Sequence, residues 1–321
     1  MSLEVLILSY CHERWIKDAV QSVLSQSYSQ HMRITLIDDY STDKTVDIAD
    51  RLLVESGKDY KILVNSRRKH PEYSFWWDAI RNSEADYVAL LDGDDYWICP
   101  EKIEIQISRL ESNKQLAISH HDYVITADST APISEKKFNS DKRDDLNFDL
   151  AEGLSLGSHN SIGTSSVVLR REFVPVMPVG FNNLRISDYP LWALTSDGKL
   201  IEKVKFPMSA YRIHQNNVFA NLPIETKLYE ELVSRTFIML NIQTDSKKRW
   251  REETLKFIRQ NFTPLELSSQ LTRDLVVLEA EINGLRNSWS WKITSPIRKT
   301  LDFFGRAGPL LNKIRRLFSD N

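Results

Sequence analysis

With 321 residues, 41% of them hydrophobic, the chain is long enough to bury one large core and still carry a smaller appendage. A formal net charge of −2 excludes a general nucleic-acid binder, whose affinity would come from neutralising many phosphates. Two cysteines, Cys11 and Cys99, build no disulfide framework and no Cys-x-x-Cys pair, which sets aside a zinc ribbon and favours a reducing cytoplasm. The first ten residues put no basic leader ahead of their short apolar run, and no segment approaches about 18 consecutive apolar residues. The expectation is neither export by that route nor a bilayer span.

Leu3 to Ser9 reads as a strand, followed by a turn at Tyr10, Cys11 and His12. Trp15, Ile16, Ala19, Val20, Val23 and Leu24 recur at helical spacing and give a helix one apolar face. A second strand, Arg33 to Ile37, ends in Asp38 and Asp39. Ser41, Thr42 and Asp43 supply N-cap candidates for a helix that turns Val46, Ala49, Leu52 and Leu53 inward and stops at Gly57. Tyr60 to Val64 is a third strand and Tyr87 to Leu91 a fourth. Strands alternating with helices at this interval predict βαβ units, hence an α/β fold with a mostly parallel central sheet flanked by helices.

The fourth strand stops at three carboxylates, Asp92, Asp94 and Asp95. Charges this close repel, so they need a cation, a cationic side chain or bulk water, and a hard Mg2+ or Mn2+ suits such oxygen donors. Asp-Gly-Asp-Asp is equally good turn chemistry, so the motif alone does not decide. Its setting adds weight: Tyr10, Asp38 with Asp39, and the acidic cluster all fall at carboxyl ends of strands, where open parallel sheets bind ligands. An aromatic face, a carboxylate pair and a metal-type cluster together suit a nucleotide diphosphate. No glycine-rich loop follows the first strand, which disfavours a dinucleotide site or a P-loop.

LILSYCHERW, QSVLSQSY, LIDDYSTDKT and ALLDGDDYWICPEKIEIQ, in this order, resemble the family 2 glycosyltransferases, over about Leu3 to Asn217. The resemblance implies a GT-A nucleotide-diphospho-sugar transferase domain at 1–220, followed by a C-terminal helical extension at 221–321. Carried over by position, Ser9 and Tyr10 match the donor-binding end of the first strand, with Tyr10 stacking on the base. Asp38 and Asp39 match the base and ribose pair, and Arg67, within the run Arg67-Arg68-Lys69, is a diphosphate contact. Asp92-Gly93-Asp94 matches the DxD motif, so Asp92 would touch donor and metal, and Asp94 the metal directly. Asp188, in SDYPLW, matches the catalytic base, and His214, in YRIH, a further metal contact.

The function so implied is inverting transfer of a sugar from a nucleotide donor to a hydroxyl of a saccharide or lipid-linked saccharide. Two other readings stay open: a catalytically silent relative acting as a subunit of a synthase complex, and a nucleotidyltransferase, which lacks its usual basic, glycine-rich signature here. One departure from the family stands out, Phe75-Trp76-Trp77-Asp78 where a glycine is usual. His120 and His121 fall on a strand, point to opposite faces and are left out of the site. Ser134 to Asp149 is a polar, Lys- and Asp-rich stretch expected on the acceptor side, and Ser155 to Ser166 is expected to line the acceptor pocket.

Toward the C-terminus, Leu271, Leu275, Leu278, Ile282 and Leu285 follow a short heptad seam. NSWSWKITSPIR resembles a tail recurrent in bacterial polysaccharide glycosyltransferases, which implies a cell-surface glycan pathway. From Trp289 to Asn321 seven Lys or Arg face two Asp, with Leu310, Ile314, Leu317 and Phe318 on one helical face. That pattern predicts an interfacial helix, and so a peripheral place on the inner face of the cytoplasmic membrane.

Overall fold

The computed structural model describes residues 2–69, 74–127, 148–157, 160, 162–215, 217 and 221–262. The chain divides into two units between Phe257 and Ile258. The first carries the sheet and the residues of the cavity described below.

Four strands form the parallel half of the sheet: β1 (Leu3–Ser9), β2 (Met32–Asp38), β3 (Asp59–Val64) and β4 (Tyr87–Asp92). Helices α1 (Ile16–Leu24), α2 (Thr45–Ser56) and α3 (Ser74–Asn82) are the crossovers between them. The other half is mixed: β5 (Tyr96–Trp97), β6 (Leu116–Ala127), β7 (Phe148–Glu152), β8 (Val168–Arg170) and β9 (Leu200–Ile213). The order across the sheet is β3-β2-β1-β4-β8-β6-β9-β5, with β7 also on β9. β8 runs antiparallel to β4 and β6, whereas β6 and β9 run parallel to each other. The α/β architecture is the one expected.

Strand alternation explains how β1 and β4 became continuous apolar runs. Leu3, Val5 and Ile7, with Tyr87, Ala89 and Leu91, face one core, into which α1, α2 and α4 (Lys102–Ser112) pack Ile16, Val20, Leu53, Ile103 and Leu110. Leu6, Val88 and Leu90 face the other, with α3, α5 (Asp188–Thr195), α6 (Ile224–Asn241) and α7 (Lys247–Asn261). Both faces are covered, so neither strand has a polar side. The Trp76-Trp77 departure belongs to the second core: both rings are buried, and Trp77 Nε1 donates to Pro175 O at 3.1 Å.

Helix α2 starts at Thr45, and no side chain of the residue before it caps the helix. Asp43 Oδ1 accepts instead from Thr45 N at 3.0 Å. The end of the expected polar stretch, from Phe148, is strand rather than loop, and β7 extends the sheet beside β9. α6 and α7 bring Phe237, Ile238, Ile242 and Trp250 into the second core. The heptad seam, NSWSWKITSPIR and the basic tail lie outside the described residues. Among the described residues no helix is long and apolar enough to cross a membrane.

Candidate functional site

Register places Ser9 beside Asp38 and Leu8 beside Asp92, so the ends of β1, β2 and β4 make one edge. Along this edge and the far end of the sheet lies a cavity of about 760 Å3. Cys11 (φ 52°) turns the chain out of β1 in the left-handed region. That turn is stitched to the one after β2: Cys11 N donates to Ser41 Oγ and His12 N to Thr45 Oγ1, both at 2.7 Å.

The two aspartates after β2 separate. Asp38 is completely buried, accepting from Ser9 Oγ (2.7 Å), Ser41 N (2.7 Å) and Ser41 Oγ (2.6 Å). It fastens the edge from behind and is not among the residues that line the cavity. Asp39 does line the cavity and accepts from Asn65 Nδ2 (2.9 Å) and Lys69 N (2.8 Å). Arg68, not Arg67, is on the wall, its guanidinium 4.0 Å from the centre of the Tyr10 ring. Ser9 and Tyr10 line the cavity as expected.

At the tip of β4, Asp92, Asp94 and Asp95 all line the cavity, Asp95 almost completely buried. Gly93 is needed for its lack of a side chain: a Cβ there would stand 2.8 Å from His12 Nδ1 and 3.1 Å from Leu8 O. Asp94 Oδ2 lies 2.9 Å from His214 Nε2 and 3.9 Å from His12 Nε2. The His214 ring is buried behind Asp94 and stacks on Trp15 with centroids 4.0 Å apart. Arg212 ties the cluster to its surroundings: Nη1 donates to Asp94 O (2.8 Å), its backbone N donates to Asp95 Oδ1 (2.9 Å), and Nη2 pairs with Asp18.

The electrostatics follow from this crowding. Burial, then the neighbouring Asp94 and Asp188, push the Asp92 carboxyl far above the usual range, and burial with the same crowding raises Asp95 as well. Burial alone would raise Asp94 too, but the His214 hydrogen bond and His12 hold it low. Burial lowers His12. One oxygen of Asp95, Oδ2, is buried without a hydrogen-bond partner. Such a surplus of hard oxygen donors beside an imidazole fits a hard divalent cation in chemistry. Among the described residues no three His, Cys, Asp or Glu side chains stand ready to close around one ion.

On the opposite wall Asp188 opens α5, its Oδ1 accepting from Tyr189 N at 2.7 Å. Helix start and cavity wall are thus the same residue. Burial pushes its carboxyl up to about 6, a poise suited to a general base. Phe75, Trp76 and Ile186 give this part of the cavity an apolar lining, while Ile162–Ser165 and Asn160 come from the stretch expected to face the acceptor. Sequence reasoning left His12 and Arg212 unassigned. Both sat inside recognised motifs, YCHERW and YRIH, but only the packing shows what they hold.

The sequence model described as Glycosyl transferase family 2 matches residues 4–171, just over half of the chain. The Escherichia coli enzyme WfaP, a UDP-Glc:alpha-D-GlcNAc-diphosphoundecaprenol beta-1,3-glucosyltransferase, is 28% identical over 75% of this chain and 86% of its own. WfgD of the same species, with the same described activity, is 27% identical over 74% and 91%. An uncharacterized protein of Mycobacterium tuberculosis is 26% identical over 68% of this chain, and the chain spans only 60% of that relative's length. The fold is that of Staphylococcus aureus TarS, with a TM-score of 0.58 at 13% identity over 80% of this chain and 72% of the TarS fragment. An edge of strand ends carrying Tyr10, Asp39 and the Asp92–Asp94 pair agrees with these likenesses, and the chain belongs to glycosyl transferase family 2.

Proposed function

We propose that the protein transfers a sugar from a nucleoside-diphosphate donor to a hydroxyl of a lipid-linked saccharide, with inversion at the anomeric carbon. One observation carries this reading: Asp188 and the Asp92–Asp94 pair share a single cavity, opposite one another in the sequence of roles that such a transfer needs. The likeness to WfaP and WfgD, whose names specify a diphosphoundecaprenol-linked acceptor, supports the acceptor class.

The donor lies with its base at Tyr10 and its ribose at Asp39. Asp188 accepts the proton of the acceptor hydroxyl as that oxygen attacks the anomeric carbon, and the bond to the diphosphate breaks on the opposite side. General-base help of this kind is worth about 10²–10⁴-fold. Because the carboxylate acts on the acceptor oxygen and forms no bond to the sugar, one displacement occurs and configuration inverts. Mg2+ or Mn2+ would be held by Asp94 and His214, with Asp92 beside them, and would supply positive charge to the departing diphosphate. Arg212 keeps Asp94 and Asp95 oriented from behind.

The test is product analysis with nucleotide sugars and a polyprenyl-diphosphate saccharide. Release of nucleoside diphosphate in step with a longer saccharide is expected. Pyrophosphate release would mean nucleotidyl transfer, and donor binding without turnover would mean a silent subunit. The basic C-terminal stretch would hold the enzyme at the inner face of the cytoplasmic membrane, near such an acceptor. Equal pelleting with anionic liposomes by the full chain and a chain ending at Leu285 would remove that placement.

A further inference from the structure

The cavity has a second aromatic station besides Tyr10. Tyr10 stands at the end of β1, whereas Tyr123 of β6 and Tyr211 of β9 line the same cavity from the other half of the sheet, with β4 and β8 between. Tyr123 is 40% exposed, a large ring left open to the cavity. The register of β6 against β9 slips on both sides of Asp122, where Asp122 faces Pro207 and Tyr123 faces Ser209. Such irregularities re-aim side chains next to functional sites.

The ring's position is built. A Cβ at Gly163 would lie 3.0 Å from Tyr123 Cε1 and 3.4 Å from Cδ1, close enough that the ring would have to shift by a few tenths of an ångström. Gly163 has φ −86° and ψ 142°, which any residue adopts, so its backbone does not require glycine. The room is needed by the ring. On another side Tyr211 meets Tyr123 with centroids 6.1 Å apart and planes at 60°. Tyr211 in turn neighbours the acids, since burial and then Asp95, Asp92 and Asp94 raise its phenol. Tyr123 therefore sits one aromatic ring away from the acidic cluster, on the side away from Tyr10.

We propose that Tyr123 is the stacking platform for the acceptor sugar: the C–H face of a pyranose ring lies on the phenol ring that Gly163 and Tyr211 hold at the cavity wall. A pyranose with equatorial hydroxyls offers a face of C–H groups, apolar and slightly positive, which complements the negative face of an aromatic ring. The contact recognises the ring's shape and leaves its hydroxyls free for attack. This assignment deepens the sugar-transfer reading and rests on it.

Binding of simple pyranosides tests it without turnover. Methyl β-D-glucopyranoside and methyl β-D-galactopyranoside are titrated by NMR into the full chain in the presence of UDP. Tyr123→Ala should weaken pyranoside binding about tenfold and leave UDP affinity unchanged, while Tyr123→Phe and Tyr123→Trp retain it. Gly163→Ala should also weaken it, although the tyrosine is still present. Equal affinity in wild type and Tyr123→Ala overturns the proposal, as does a wild type that binds neither glycoside, or a joint loss of UDP and pyranoside in Tyr123→Ala. The two readings fail separately. Tyr123-dependent pyranoside binding without nucleoside diphosphate release would remove sugar transfer and keep a sugar platform, and release with Tyr123-independent binding would do the reverse.

Discussion

The wall of the cavity formed by β1, β2 and β4 is fastened by hydrogen bonds between neighbouring turns, whereas the wall formed by β6, β9 and α5 is fastened by aromatic packing. On the first, Asp38 joins Ser9 to Ser41, Cys11 N reaches Ser41, His12 N reaches Thr45, and Asp39 receives Asn65 and Lys69. On the second, Trp76 meets Trp192, Tyr123 meets Tyr211 and Tyr189 meets Trp250. The polar stitching holds the edge where the proposed donor would bind. The aromatic wall leaves Asp188 in apolar surroundings, which is the physical reason its carboxyl rises to about 6.

This contrast predicts that substitutions on the two walls fail in different ways. The largest effect is expected for Asp188→Asn, which keeps the side chain's shape and its acceptor for Tyr189 N but removes the base. Turnover should fall by about 10²–10⁴-fold with donor affinity retained, read from steady-state rates beside a donor titration. A parallel loss of donor affinity would break the division between walls. The pH dependence sharpens it. A base is active only when deprotonated, and burial raises Asp188 to about 6, so turnover should climb with pH up to about 6 and level off above it. An acid limb lying near 4, the range of an unperturbed carboxylate, would place the base in water rather than against the apolar wall.

The stitched wall was largely legible in the sequence, because each of its strands is a short apolar run ending in polar residues and each turn carries its own hydrogen-bonding side chains. What the sequence could not give was phase. Whether Asp38 or Asp39 meets the cavity depends on a single residue of phase at the end of β2, and Ser9 and Ser41 hold Asp38 inward. The aromatic wall was legible only in part. Asp188 came from a motif resemblance, since locally it reads as a helix start. Tyr123 gave no signal at all, because its orientation depends on the slip between β6 and β9 and on the absence of a side chain at Gly163, some forty residues away in the chain.

Arg212 spans the boundary between the walls, rising from β9 to hold the acids of β4. Its side chain is nearly inaccessible, lies 4.4 Å from the centre of the Tyr96 ring, and pairs with Asp18 of α1. Arg212→Met keeps much of the volume but strips the carbonyl of Asp94 and the carboxylate of Asp18 of their donors. Losing a charged hydrogen bond of this kind costs about 1.5–3 kcal/mol, which thermal unfolding would register. Asp94 would also lose its orientation, so binding of Mn2+ in the presence of donor should weaken as well. Unchanged Mn2+ binding would mean that Asp94 is oriented by His214 alone.

The smallest effect separates the two aspartates after β2. Asp38→Asn preserves one acceptor for Ser41 N but cannot accept from both the Ser9 and Ser41 hydroxyls as the carboxylate does. A loss of about 1 kcal/mol is expected, a fall in Tm of roughly 2–4 °C for a domain of this size, with donor affinity nearly unchanged. Asp39→Asn should do the opposite: its carboxylate faces the cavity, so donor affinity should drop while the fold, held from behind by Asp38, keeps its Tm. If Asp38→Asn instead weakens donor binding more than Asp39→Asn does, then the buried carboxylate must swing out to the ligand. The stitched edge would then be remade on binding rather than waiting preformed.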